Sequence, residues 1–308
     1  VLHLRLIVPP ARTGEATAVL ADAPGVTNIV VLPGAAREPA GDLVLCDAAR
    51  ESANEVLGRL GWLETEGSIA VEQVDLTISR AATRAIEEAP GEPDDAVVWQ
   101  ELAQKVYADS RITWAYLAFL AIATQLTGIA VLLNSPILIV GAMVLGPEFG
   151  AVAAVCFGLL HRRWPLIGTA FRTLLVGFAV AIAITFACAF VSALLGWIGP
   201  GNLTTNQEMQ FIVKPDRWSF IVALLAGAAG VLSITAGKSS ALIGVFISVT
   251  TVPAAGYAAV ALALGEWSEV GFSALQLAVN VLGMVVAGTA TLMVQRRFWP
   301  QVGRRSSG

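Results

Sequence analysis

Glu148 is the only charged residue between Pro136 and Leu160, in the run PILIVGAMVLGPEFGAVAAVCFGLL. A carboxyl group so placed can exchange a proton, bind a cation, or pair with a basic group. A helix rises about 1.5 Å per residue, so Glu148 lies roughly 18 Å along from Pro136, near the midplane of a hydrocarbon layer ~30 Å thick. Pro147 removes a helical hydrogen bond and clashes with the preceding turn, which predicts a break and a half-helix starting at Pro147. The positive end of that half-helix stabilises a carboxylate in its first turn, while loss of water favours the protonated acid. Thr250, Thr251 and Pro253 in a later apolar segment, and Asn280 in the last, fall at comparable depths. Gln125 and Ser233 are polar groups in two further segments. With Gly146, Pro147 and Gly150 these form a candidate substrate- or proton-binding set. Each polar member alone more often makes a helix-to-helix hydrogen bond than a substrate contact. Arg172 is the basic residue placed to pair with Glu148, or to snorkel to the inner face.

Other chemistry is sparse. With only His3 and His161, neither a catalytic triad nor a metal cluster is expected. Cys46, Cys156 and Cys188 lack paired spacing and read as small buried hydrophobes. There is no GxxxxGK[ST] and no strand-bound GxGxxG, so no nucleotide-driven pump and no cofactor is expected. The chain does not read as an enzyme.

The elements that must hold Glu148 follow from composition. Hydrophobic residues make up 56% of the 308-residue chain and charged residues 14%, unevenly spread. Up to Arg111 there are eighteen Asp and Glu against nine Lys and Arg, and from Ile112 onward five against ten. An acidic, water-facing part precedes a lipid-soluble part, and the acidic balance argues against nucleic acid. Six apolar segments, near 112–133, 136–160, 173–198, 218–237, 241–264 and 270–294, each reach the ~20 residues that cross hydrocarbon. Lys105, Arg111, Arg162, Arg163, Lys238, Arg296, Arg297, Arg304 and Arg305 fall on one side of a six-span arrangement. The opposite loops mix Lys214 and Arg217 with Glu208, Asp216, Glu266 and Glu269. Both termini are therefore expected in the cytoplasm of an inner (plasma) membrane protein. Trp114, Trp164 and Trp299 sit at inner boundaries, and Trp197, Trp218 and Trp267 at outer ones, as indole favours the headgroup level. The opening VLHLRLIVPP reads as a strand, not a signal peptide.

Residues 1–90 read as β-α-β-β-α-β. The strands fall near 2–8, 26–32 and 42–46 and around Val74, Leu76 and Ile78, with helices at 11–23 and 52–60. That order is the split βαβ, ferredoxin-like plan, an α+β fold that hosts many functions. Residues 91–111 carry Val98, Leu102 and Val106 at every fourth position, an amphipathic linker helix starting near Asp94. The membrane domain spans 112–295, and a basic tail follows at 296–308.

A shift of 106 residues lays PEFG (147–150) on PAAG (253–256). Three spans per unit is odd, so two such units would be inverted, giving a 3+3 repeat with broken helices, the sequence pointer to a transporter site. The stretches NSPILIVGAM (134–143), GAAG (227–230), SSALIGVFIS (239–248), VP (252–253) and LQLAVN (275–280), with Pro147, resemble the bacterial hydrophobic-domain membrane family catalogued as domain of unknown function 389. The resemblance covers roughly 112–295 and implies a multi-span membrane domain without an assigned activity. The chain departs from that pattern at Glu148 and Phe149, where apolar residues are expected.

Two function classes follow. One is a secondary transporter or ion-conducting protein for a small solute, with the cytoplasmic domain regulating or oligomerising it. The other is a non-transporting scaffold or sensor whose buried polar groups specify packing. Membrane lipid is the expected partner in both, and the Gly- and Ala-rich helices favour a homo-oligomer.

Overall fold

Leu2, Leu4, Leu6 and Val8 alternate with half-exposed or exposed residues, and Leu2–Val8 is accordingly a strand, β1, with those four side chains buried. The computed structural model describes residues 1–74, 77–89, 96–203, 217–236 and 251–298. It divides into a unit holding Val1–Leu102 and another holding Ala103–Arg296.

In the first unit β1 is followed by α1 (Thr13–Asp22), β2 (Val26–Arg37), β3 (Ala40–Ala48), α2 (Ala53–Arg59), α3 (Leu63–Glu66), β4 (Ser68–Gln73) and α4 (Arg80–Glu88). The four strands form one sheet in the order β2-β3-β1-β4, with every neighbouring pair antiparallel. Leu20, Val56, Leu57, Leu60 and Leu63 from the helices complete the core over β1 and β3. The last strand lies earlier than the alternation of Val74 and Ile78 suggests. Ser68–Gln73 pairs with β1, from Ile7 opposite Ser68 to Leu2 opposite Gln73, whereas Ile78 is outside the strand and 92% exposed. Gly67 fixes this start, because a Cβ there would collide with the Ile7 carbonyl. Leu76 lies outside the described residues.

Helix α5 (Trp99–Asp109) begins later than Asp94, which is itself outside the described residues. Val98, Leu102 and Val106 are buried at their spacing of four, as an amphipathic helix requires.

The second unit continues with α6 (Trp114–Leu132), α7 (Pro136–Met143), α8 (Phe149–His161), α9 (Trp164–Leu194), α10 (Arg217–Thr235), α11 (Val252–Leu264) and α12 (Trp267–Phe298). Local chemistry sets the boundaries. The Thr113 hydroxyl accepts from the Tyr116 N–H at the start of α6, and that of Ser135 accepts from Leu138 N–H at the start of α7, which has Pro136 as its first residue. Asn134 takes the left-handed conformation, φ 52°, in the turn between them.

Among the described residues four helices, α6, α9, α10 and α12, are long and apolar enough to cross a membrane, rather than six. The second expected span is two helices with a break over residues 144–148, and α8 alone is a shorter apolar helix. Of the fifth, only α11 is described, again a shorter apolar helix, and 241–250 lie outside the described residues. The third starts at Trp164, nine positions before the expected 173, because Pro165 fits the first turn of a helix. Trp114, Trp164, Trp197, Trp218 and Trp267 are all exposed, at or just beyond the ends of these helices. Large apolar side chains such as Phe171, Leu175 and Leu194 are exposed along α9, as lipid contact demands. Cys188 is also exposed on α9, not buried as expected, whereas Cys46 and Cys156 are buried.

Three pairs of helices match in length. α6 and α10 have 19 residues each, α8 and α11 have 13 each, and α9 and α12 have 31 and 32. Their first residues, Trp114 and Arg217, Phe149 and Val252, Trp164 and Trp267, are each 103 positions apart. α8 ends at Arg162 with φ 54° and α11 ends at Gly265 with φ 79°, the same spacing and the same left-handed cap.

Candidate functional site

The break after α7 and the start of α11 meet at one hydrogen bond. Glu148 immediately precedes α8, Thr251 immediately precedes α11, and the Thr251 hydroxyl donates to Glu148 Oε1 at 2.5 Å. Pro147 cannot supply an N–H to the preceding turn, so α7 closes at Met143 and the backbone re-enters a helix at Phe149, two positions beyond the proline. The Glu148 side chain folds back over Gly146, where a Cβ would strike Glu148 Oε2 and approach Val252 Cγ2 at 3.0 Å. Gly146 is therefore the space that the carboxylate occupies.

Glu148 and Thr251 are both 0% exposed. Glu148 Oε2 has no hydrogen-bond partner among the described residues, and Glu148 forms no ion pair there. The Arg172 pairing is thereby overturned: Arg172 is exposed on α9 and takes no part in an ion pair among the described residues. A long basic side chain starting from the lipid-facing side of a helix reaches water more cheaply than it reaches the core.

The other candidates divide. Gly146, Pro147, Thr251 and Pro253 lie at the Glu148 carboxyl or next to its contacts, and Pro253 is buried in the first turn of α11. Gly150 serves a neighbouring contact, since a Cβ there would come within 2.7 Å of Asp109 Cβ. Asp109 ends α5, and partial burial pushes its carboxyl above the ordinary aspartate range against the pull of Lys105. Asn280 is fully buried on α12, while Gln125 on α6 and Ser233 on α10 are part-buried. Gln125 Oε1 lacks a partner among the described residues. Thr250 lies outside the described residues.

Several residues were missed. Tyr116, in the first turn of α6, is buried. Its hydroxyl donates to the Thr173 carbonyl at 3.4 Å, and the Thr173 hydroxyl donates to the Ser110 carbonyl at 2.6 Å. Ser110 lines a cleft of about 440 Å³ with Tyr107, Arg111, Arg163, Leu166 and Thr169. Arg163 donates to the Tyr107 hydroxyl at 3.0 Å there. Ser273 and Gln276 are also buried on α12, with Ser273 Oγ and Gln276 Oε1 unpartnered among the described residues. Their spacing with Asn280, three and then four, is the helical stripe that could have revealed them.

The remaining sequence candidates have ordinary surroundings. His3 and Asp47 face each other across β1 and β3, with Nδ1 2.8 Å from Oδ1. Burial, with Asp47 nearby, pushes the Cys46 thiol up to about 12, which leaves it unreactive.

Comparison with known proteins gives a family match within the second unit. The family described as Domain of unknown function (DUF389) matches residues 143–286, narrower than the resemblance read from the sequence but including Glu148, Thr251 and Asn280. An uncharacterized protein of Methanocaldococcus jannaschii (MJ0678) is 26% identical over 155 residues, 48% of this chain and 46% of that protein. The match thus spans less than half of that relative's length. No solved structure matches.

Proposed function

We propose that this membrane protein is a secondary transporter or ion-conducting protein for a small solute, working at the junction of Glu148 and Thr251. The observation that carries the reading is a fully buried carboxyl group whose Oε2 has no partner among the described residues, set where two half-helices begin. A group that only specified packing gains most from full satisfaction of its hydrogen bonds, and this one is half-satisfied. The matching helix lengths support an inverted 3+3 repeat of six spans, with α8 answered by α11. The spacing of 103 residues replaces the 106 suggested by PEFG and PAAG, and makes Glu148 and Thr251 equivalent positions. The chain is read as carrying no catalytic centre, cofactor or nucleic-acid partner of its own.

Proteoliposomes carrying a pH gradient and a panel of labelled ions and small metabolites test this. Flux is expected for at least one solute, and Glu148→Gln should fold yet lose the dependence of flux on the gradient. A well-folded wild-type protein that moves none of them would favour a scaffold instead.

The sheet order of the first unit supports the ferredoxin-like reading, and that unit is read as cytoplasmic, in an inner membrane protein with both termini inside. In a variant lacking Cys46, Cys156 and Cys188, Ser268→Cys should react with an impermeant thiol reagent added to intact cells and Ala108→Cys should not. The reverse pattern would invert the orientation. The 12-residue edge strand β2 exposes Val30 and Leu32, at 45% and 44%, which suits edge pairing in a homo-oligomer. Detergent-corrected mass should exceed one chain and fall in Val30→Lys with Leu32→Lys; a single-chain mass for the wild type would exclude the oligomer.

A further inference from the structure

Resting on that transport reading, we infer that the solute is a small anion taken up together with one proton: the anion replaces the Glu148 carboxylate between the starts of α8 and α11, and the proton neutralises Glu148. A buried acid alone suits a cation as well as a proton, and the two helix starts decide between them. Each helix start carries the equivalent of roughly half a positive charge, so two make about one. When ionised, the Glu148 carboxylate, which lies against Thr251 and over Gly146, balances them. Protonation at Oε2 removes that balance, and in a medium of low dielectric the uncompensated charge is costly. A monovalent anion restores it, whereas a cation adds to the imbalance. Proton and anion therefore arrive as a pair, with no net charge added to the site.

Donors for the anion are at hand. The first bonds within the two helices are made by the N–H groups of Val152, to the Glu148 carbonyl, and of Ala255, to the Thr251 carbonyl. The N–H groups of Phe149, Gly150, Ala151, Val252 and Ala254 precede these bonds and have no partner within their own helices. The nearby cleft, with Arg111 and Arg163 on its wall, has the charge to gather anions toward this unit.

The ionisable groups on the surrounding elements are Glu101, Lys105, Tyr107 and Asp109 on α5, Tyr116 on α6, Cys156 and His161 further along α8, exposed Arg172 and Cys188 on α9, Arg217 at the start of α10, Tyr257 on α11, which is bonded to Glu269 of α12 at 3.3 Å, and Arg296 and Arg297 at the far end of α12. α7 has none. Asp109 is the one that could imitate Glu148 in a titration, since it packs on Gly150.

Binding to the purified full-length protein in weakly buffered detergent solution separates this inference from transport itself. The probes are chloride, nitrate, formate and acetate, each as sodium, potassium and N-methylglucamine salts. Wild type should be thermally stabilised according to the anion and not the cation. Its apparent affinity should weaken up to tenfold per pH unit on the alkaline side, with close to one proton taken up per anion bound. Glu148→Gln should bind the same anion without proton uptake and without pH dependence, and Asp109→Asn should keep both. Stabilisation that follows the cation, anion binding without proton uptake in wild type, loss of uptake in Asp109→Asn but not in Glu148→Gln, or no response to any of the four anions would each overturn the inference. Anion-linked proton uptake without flux in liposomes would sustain it and remove only the transport reading.

Discussion

Helices α6, α8 and α9 match α10, α11 and α12 in length but carry different side chains at corresponding points. Gly128 of α6 faces Thr185 of α9, where a Cβ on the glycine would lie 3.1 Å from Thr185 Cγ2. At the corresponding crossing of α10 and α12 the sizes are exchanged, and a Cβ on Gly288 would lie 3.0 Å from Val231 Cγ2. Tyr116 of α6 packs over Gly177 of α9, and the positions 103 further on hold Ser219 and Asn280, both buried. Close packing constrains the volume shared by a pair more than the identity of either member. A repeated architecture can therefore lose its sequence echo while keeping its crossings. The contrast at Glu148 and Thr251 is of another kind, because a carboxyl and a hydroxyl differ in charge chemistry as well as in size.

The largest effect is expected at the exchanged crossing. Gly288→Thr copies the crossing of α6 and α9 onto α12 without making room, since a Cβ there already lies 2.8 Å from Cys156 Sγ. Overpacking of this kind costs about 1–3 kcal/mol. Adding Val231→Gly and Cys156→Ala, the residues found at 128 and 259, should recover most of the loss in a denaturant titration. Failure of the triple variant to recover would break the proposed equivalence of the two crossings.

This exchange of sizes also explains what the sequence could and could not reveal. The helix break at Pro147, the buried carboxyl and the half-helix that follows the break come from residue chemistry, because proline geometry and the cost of charge in hydrocarbon are local facts. The partner of Glu148 was less legible. Arg172 has the complementary charge but the wrong helix face, and Thr251 is an ordinary polar residue until two helix starts are brought together. Short Pro- and Gly-containing words align at a shift of 106, whereas the helix boundaries, invisible in composition, align at 103. In the first unit the alternation of Leu2, Leu4 and Leu6 fixed β1, but β4 was set by a glycine against the Ile7 carbonyl, a contact between residues sixty positions apart.

A smaller effect is expected from trading the two site residues. Glu148→Thr alone should cost about 1 kcal/mol through the lost hydrogen bond, and should abolish the proton uptake that accompanies anion binding. Glu148→Thr with Thr251→Glu presents the same two groups to each other from opposite helices, so stability should return to within the error of thermal denaturation. If the two positions are equivalent, proton uptake returns with it. A stable exchanged protein that takes up no proton would show that only the α8 side offers a proton path, and would turn the comparison into one between an active and a passive half.

The smallest effect concerns the ends of the two half-helices, where the same left-handed cap is made by Arg162 after α8 and Gly265 after α11. An L-residue in that conformation costs roughly 1–2 kcal/mol, whereas glycine adopts it freely but gains freedom in the unfolded chain, worth about 0.4–1 kcal/mol against it. Nothing lies within 4 Å of a Cβ placed on Gly265, so its conformation and not its surroundings decides the outcome of a substitution. Arg162→Gly should therefore stabilise by less than about 1 kcal/mol, and Gly265→Ala should destabilise by a similar amount. Both are measured as shifts in the thermal midpoint of the purified protein, with the double variant returning close to wild type because the sites are separate. Equal and opposite shifts would show that the two caps do the same work. A loss of stability in Arg162→Gly would mean instead that the arginine side chain, beyond its backbone angle, holds the end of α8, and that the two half-helices are anchored differently.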